Sequence, residues 1–502
     1  MALYQSREAG HGGMFDALIL IGLLSFVTAL SLLFFADQSL RLDEAQSLWQ
    51  TSRSPGAILS TVAADVHVPL HHLLLHFWRL LFGEGVEVAR ALSLILYLFN
   101  IPALYLLGRL AYSRSVGIFA ATLFAISPFM NWYANEIRMY TLFALLATLN
   151  QYFFMRVFKL KDTLAWTPYV FTAILGVFTH YFFFLNLAAQ GAFYALYRHL
   201  FPNGSRTHLI GTAALIFALF TPWVLYTLLL GEAVYQQPAL SSPTTVDFFN
   251  TLAEFIFGFQ GAQLNTVIVS LWPIALIVAF LALRKNVSLS NESAYFLLIL
   301  LFSLGTAFVF SVLVRPVFLS RYLIFTIPAL YLLLSALLSV YPRPLSRIAK
   351  EVTVALMLIA LAASALRGAS VEEEYRAASA YLAQHAQAHD VIILSPPFTL
   401  YPVEYYYRGL APITTLPQWD RYVAGPIPSF SAETLEEDVA ALTESYERVW
   451  IVLSFDQGYE EDLRLYFEEN YHRIERLDFP SDITILLYRL RYDTQNARAA
   501  AM

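Results

Sequence analysis

The residues best suited to acid–base chemistry are Asp43 and Glu44, adjacent carboxylates in a polar stretch, 37–90, behind the first long apolar run. Asp65-Val66-His67-Val68-Pro69-Leu70 follows in the same stretch and adds a carboxylate and an imidazole. A carboxylate aimed at a hydroxyl can act as general base, an effect worth about 10²–10⁴-fold in rate. Either member of Asp43-Glu44 could serve so. The pair could equally cap the helix that Glu44-Ala-Gln-Ser-Leu-Trp predicts. Asp65 and His67 could orient the base, bind a sugar or hold a divalent ion. His67/His71 and His72/His76 are one helical turn apart, a legitimate ligand spacing. His71, His72 and His76 are more simply amphipathic residues of an interfacial helix entered at Pro69.

Cationic groups recur further on. Glu136-Ile-Arg138-Met-Tyr140 opens an apolar segment, so Arg138 could grip a phosphate with Glu136 beside it, or snorkel at a span end. Ser127-Pro128 just before predicts a kinked helix end. Arg315 and Arg321-Tyr322 open a later span and suit a phosphate ester near a membrane surface, or an interfacial anchor. His180, with Tyr181 and Asn186, falls at a turn between spans and could touch a sugar or lipid phosphate, although a structural role is the simpler reading.

These residues need a scaffold, and composition says which. The chain has 502 residues, 58% hydrophobic and 14% charged, against about 25% charged in soluble domains. Apolar runs of about 20 residues recur, near 15–36, 89–111, 115–134, 138–158, 165–183, 184–198, 209–230, 263–283, 294–314, 321–341 and 351–367. A polytopic α-helical membrane protein of about eleven spans is predicted. The first run lacks a cleavage pattern and is expected to stay as a span. Basic residues fall in alternate short loops, which places the N-terminus in the cytoplasm and the 37–88 loop outside, with interfacial helices. The Val246–Gly261 stretch is broken by Asp247, Asn250 and Glu254 and predicts an amphipathic helix on the outer surface.

From residue 369 the pattern changes. Residues 370–502 hold 10 Lys+Arg against 22 Asp+Glu, whereas 1–369 hold 21 against 15. Helices at 372–389, 432–445 and near 458–470 alternate with strands at 390–395 and 448–454 and edge strands near 472–478 and 482–490. That is a small external α/β domain, 369–490, on a membrane domain, 14–368. Residues 1–13 and 491–502 are expected to be disordered. There is no basic patch for nucleic acid, and with no cysteine neither disulfides nor thiolate metal sites are available.

Asp43-Glu44-Ala, Asp65-x-His-x-Pro-Leu, Arg90-Ala-Leu-Ser93, Ser127-Pro-Phe, Glu136-Ile-Arg-Met-Tyr140, Ser320-Arg-Tyr-Leu-Ile and Ile327-Pro occur in that order. Together they resemble the integral-membrane C-type glycosyltransferases over roughly residues 15–340. The nearest group is family 39: protein O-mannosyltransferases, lipid A aminoarabinose transferases and their bacterial relatives. The resemblance implies a polyprenyl-phosphate sugar donor, a glycan, lipid or protein acceptor, and inverting transfer on the external face of a bacterial inner membrane. It makes Asp43 the catalytic base and Glu44 its neighbour in the acceptor site. Arg138 and Arg321 match basic positions that would hold the donor phosphate, and no metal cofactor is expected. Two departures are Val68, where many relatives carry a proline, and the α/β domain, which differs from those of the named groups. The competing function is a flippase or transporter of lipid-linked sugars, which would need ionisable residues or broken helices at mid-membrane. Asn100, Asn150 and Gln151 are the prominent polar residues inside spans, and the charges cluster at one surface.

Overall fold

The computed structural model describes residues 2–35, 37–65, 67–230, 241–261, 270, 290–367, 373–422 and 427–490. The chain forms two compact units. One comprises Met1–Asp37, Ser54–Leu229 and Leu240–Ser370; the other comprises Gln38–Arg53, Leu230–Ala239 and Val371–Met502.

The first unit is helical because its apolar runs are long enough to cross a bilayer, where every backbone polar group must be bonded within the chain. Among the described residues seven helices qualify: Gly13–Phe34, Val86–Ala111, Tyr140–Leu160, Ser205–Leu229, Asn291–Leu313, Ser320–Val340 and Arg343–Leu366. The expected 115–134 span is a bent pair, Arg114–Ala125 and Pro128–Ala134, turning through 61°. The break has the predicted cause: Ser127 caps the second piece, accepting from the Met130 N–H at 3.2 Å, and Pro128 occupies its first turn. The expected spans at 165–183 and 184–198 are shorter apolar helices, Thr163–Val177 and Phe183–Leu196, and the one near 263–283 lies outside the described residues. Helical backbone begins at Ala2.

Burial differs along the bundle. Tyr140–Leu160 is buried over 72% of its apolar window and Gly13–Phe34 over 11%, which makes the former the central helix of its unit. A neutral polar network runs inside. Asn186 donates to Asn150 (3.0 Å) and accepts from Gln151 (3.0 Å); Gln190 donates to Asn150 (2.9 Å) and to the Tyr295 hydroxyl (3.1 Å). Asn186 is therefore a fully buried helix residue, not a turn residue, and Asn186 and Gln190 join Asn150 and Gln151 as interior polar groups. Amides bonded to one another fix helix register without exposing charge to the interior.

Two helices meet backbone to backbone at Gly108 and Gly117: a Cβ on Gly117 would lie 2.6 Å from the Tyr105 carbonyl oxygen and 2.8 Å from the Arg109 nitrogen. Neither atom can move without moving its helix. Gly117→Val is expected to destabilise the protein by roughly 1–3 kcal/mol, read as a lower unfolding midpoint in detergent.

The second unit carries a five-stranded sheet ordered β2-β1-β3-β5-β4, with β1 at Asp390–Ser395, β2 at Ile413–Thr415, β3 at Arg448–Leu453, β4 at His472–Phe479 and β5 at Ile483–Arg489. Strands β2, β1 and β3 are parallel; β5 runs antiparallel to β3, and β4 to β5. The sequence missed β2 and the Leu400–Tyr406 helix and took β5 for an edge, whereas it pairs on both sides. Alternate residues of β1 feed two cores. Ile392 and Leu394 pack with Tyr375, Leu382 and Trp450; Val391 and Ile393 pack with Val439, Leu463 and Phe467. The helices Tyr375–His385, Leu435–Thr443 and Glu460–Asn470 that supply Tyr375, Leu382, Val439, Leu463 and Phe467 match the predicted ones to within a few positions.

Candidate active site

The predicted site residues divide between the two units, each of which is built locally for a reason.

In the second unit Asp43 and Glu44 sit in the first turn of the Leu42–Thr51 helix. Arg41 precedes it with extended backbone (φ −83°, ψ 162°) and offers no oxygen to cap the turn. Glu44 folds back instead and accepts the Arg41 N–H at 3.1 Å, the acidic half of a capping box. Its carboxylate is buried, 1% exposed, while Asp43 is partly exposed. The helix N-terminus favours negative charge on both. The Leu42 N–H is taken by Glu373 at 2.7 Å. Burial raises the Glu373 carboxyl to about 8, against Arg41 and the Leu42 N–H; Asp43 and Glu44 add to the rise.

In the first unit Asp65 ends the Pro55–Ala64 helix and His67 follows in a non-helical connection before the Leu70–Phe82 helix, so His67 is not on the helix with His71. The Arg138 Nη2 lies 2.9 Å from His67 Nε2. A guanidinium only donates, so Nε2 accepts and the bonding pattern assigns the ring proton to Nδ1. Nδ1 is 2.7 Å from the Asp65 carbonyl oxygen and 3.4 Å from its carboxylate. Asp65, His67 and Arg138 thus form one chain of contacts that ends on a buried guanidinium, 5% exposed.

Arg138 is placed by the turn between Pro128–Ala134 and Tyr140–Leu160. Glu136 is buried there, and its carbonyl accepts from the Arg138 N–H (2.8 Å) and the Ser93 hydroxyl (2.6 Å). Tyr140 begins the helix, 1% exposed, and meets Tyr133 edge-on with ring centroids 4.8 Å apart.

His180 sits in the turn between Thr163–Val177 and Phe183–Leu196. Its Nδ1 accepts the Phe182 N–H at 3.1 Å, and its ring stacks on Phe143 at 4.7 Å. The Tyr322 ring is 5.1 Å away. Burial brings His180 down to about 3, reinforced by His67 and then by Arg138 and Arg321. His71 is likewise held near 3, by burial and then Arg138. His71, His72 and His76 are buried rather than lying on an amphipathic surface. Two guanidiniums therefore act on one neutral ring, and such a concentration of positive charge suits an anion. Arg321 belongs to the Ser320–Thr326 3₁₀ turn, with its guanidinium carbon 5.7 Å over the Tyr322 ring; Arg315 is exposed on the preceding loop. Among the described residues no three His, Asp or Glu side chains converge to hold a metal ion.

Sequence reasoning missed Glu373, Arg376 and Tyr406, which bind the segment ahead of Asp43, and Glu254 of the Thr245–Phe257 helix. Burial raises the Glu254 carboxyl, which bonds Ser320, the residue before Arg321. The only signal for Glu373 was the run Glu372-Glu373-Glu374, which resembles a solvated acidic stretch.

Residues 66–226 match the family described as dolichyl-phosphate-mannose-protein mannosyltransferase. The crystal structure of ArnT from Cupriavidus metallidurans in the apo state is similar at 12% identity and TM-score 0.61, covering 96% of this chain and 98% of that one. The chain has the fold of ArnT. ArnT of the same organism bound to undecaprenyl phosphate superposes with TM-score 0.56 at 12% identity, covering 94% and 97% of the two chains. An oligosaccharyltransferase from Archaeoglobus fulgidus, in complex with Zn and sulfate, gives 0.50 at 12% identity, over 93% and 72%. No curated protein matches the chain. The family match begins after Asp43 and Glu44 and ends before Arg315 and Arg321, so it spans His67, Glu136, Arg138, Tyr140 and His180.

Proposed function

We propose that the protein is an inverting glycosyltransferase that moves a sugar from a polyprenyl-phosphate donor to a hydroxyl of an envelope acceptor, at the external face of a bacterial inner membrane. The observation that carries this reading is the buried Arg138 guanidinium, held by His67 at 2.9 Å, in a chain whose fold is that of ArnT. The undecaprenyl phosphate in one ArnT structure supports the same class of donor here.

In the proposed reaction Asp43 takes the proton of the acceptor hydroxyl as its oxygen attacks the anomeric carbon. The bond from that carbon to the phosphate oxygen breaks with inversion, and its electron pair leaves on the polyprenyl phosphate. Arg138 and Arg321 stabilise the charge gathering there, with interactions that strengthen as the bond breaks. Asp65 and His67 hold Arg138 in place, and Glu136 and Tyr140 shape the turn that presents it. Glu44 fixes the first turn of the Asp43 helix. A phosphate ester is an acceptable leaving group, so a base and positive charge suffice and no metal is required. The N-terminus is cytoplasmic, and the Asp43 segment and the α/β domain are periplasmic.

Purified protein in lipid, offered a panel of undecaprenyl-phosphate sugars and a crude envelope acceptor fraction, is expected to release undecaprenyl phosphate with at least one donor. Release should survive a chelator. No release from any donor in the presence of that fraction would overturn the proposal. The neutral interior network gives the flippase reading no support, since mutually bonded amides provide no charged path.

A further inference from the structure

The five residues before Asp43 are each held by a specific group. The Gln38 carbonyl accepts from Arg376 Nη2 at 3.1 Å, and the Ser39 hydroxyl accepts the Arg376 N–H at 3.2 Å. The Leu40 N–H donates to the Tyr406 hydroxyl at 2.7 Å. Arg41 donates to Glu44, and Leu42 to Glu373. Four of these five residues are thus held by groups from residues 373–406 of the same unit.

The first N–H groups of a helix have no intrahelical acceptor, and a Ser, Thr, Asp or Asn at the cap normally supplies one. Arg41 cannot. The acceptor for Leu42 comes instead from Glu373, 331 residues away in sequence. We propose that Glu373 is a positioning residue for the transfer reaction: it sets the first turn of the Leu42–Thr51 helix and so the direction in which Asp43 points its carboxylate. The α/β domain thereby organises the base rather than merely accompanying the membrane helices. The inference rests on the reading of Asp43 as the base.

The charges around Glu373 agree. Arg41, Asp43 and Glu44 face it from the helix start, and Tyr375 and Arg376 flank it on its own segment. With its carboxyl raised to about 8, mainly by burial, Glu373 is mostly protonated at neutral pH and adds no third negative charge beside Asp43 and Glu44. A glutamine keeps that neutral form and an oxygen that can accept the Leu42 N–H.

Glu373→Ala is expected to lower kcat about tenfold or more while the donor KM stays within about twofold, the signature of a misaimed group rather than lost binding. Glu373→Gln should restore kcat to within about threefold at pH 7. Its pH profile should lack the ionisation of the wild type near 8. Wild-type kcat in Glu373→Ala, or a loss that Glu373→Gln does not rescue, would overturn the inference. If the alanine variant does not fold, Glu373→Asp, which withdraws the carboxyl from Leu42 by one methylene, takes its place with the same expectation. Asp43→Asn in the same series separates the two readings. If it turns over normally, the base assignment fails and this inference with it. If it is inactive while Glu373→Ala is normal, only the positioning role is lost.

Discussion

Asp43→Asn is expected to abolish sugar transfer while leaving the fold and donor binding intact. The substitution is nearly isosteric, and at the second position of a helix asparagine is tolerated, so the Leu42–Thr51 helix should persist. What disappears is the ability to take a proton. General-base removal costs about 10²–10⁴-fold in rate, which in a release assay is indistinguishable from inactive. Glu44 is the instructive comparison. It is already committed to the Arg41 N–H and is buried, whereas Asp43 is partly exposed. Glu44→Gln keeps an oxygen that can accept the Arg41 N–H, so the helix start should persist and turnover should fall less than in Asp43→Asn. Release of polyprenyl phosphate decides it, with donor binding measured alongside. If the Glu44 variant shows the larger loss in kcat at equal stability, the proton goes to Glu44 instead.

How far the sequence could be read depends on how local the physics is. The long spans were legible because crossing a bilayer demands about 20 apolar residues in succession. The bend at Ser127-Pro128 was legible because a cap followed by proline stops and restarts a helix within three residues. The segments expected as spans at 165–183 and 184–198 form the shorter helices Thr163–Val177 and Phe183–Leu196, and composition alone does not separate a helix buried among other helices from one facing lipid. The same ambiguity put Asn186 in a turn, when its partners Asn150 and Gln151 lie on another helix.

In the second unit β5 reads Ile-Thr-Ile-Leu-Leu-Tyr-Arg, a nearly continuous apolar run that marks an interior strand. Strand β2 is three residues long and carries no period at all. The site shows the same division. Asp43, His67 and Arg138 stood out as residue types at suggestive positions, but the bond that joins His67 to Arg138 spans 71 residues and the one that joins Leu42 to Glu373 spans 331. No periodicity reports contacts of that range. A glutamate in an acidic run is read as solvated until its neighbours are known.

Arg138→Ala is expected to weaken donor binding by about 10- to 100-fold, the worth of roughly 1.5–3 kcal/mol that a charged hydrogen bond carries. The guanidinium is 5% exposed and fastened to His67, so its position is set before any phosphate arrives and little entropy is lost on binding. Removing it also leaves the His67 Nε2 without its donor and takes one cation from beside His71 and His180. Both rings then become easier to protonate, though burial, the larger effect on each, still opposes it. Arg138→Lys tests which property matters. A lysine restores the charge but not the planar fork that can meet His67 and a phosphate together, so affinity should return only in part. The measurement is the affinity of an undecaprenyl-phosphate sugar for each variant in lipid, with the unfolding midpoint recorded beside it. Unchanged affinity in a folded alanine variant would remove Arg138 from the phosphate site. Full recovery with lysine would mean that charge alone, without the Asp65–His67 support, accounts for the binding.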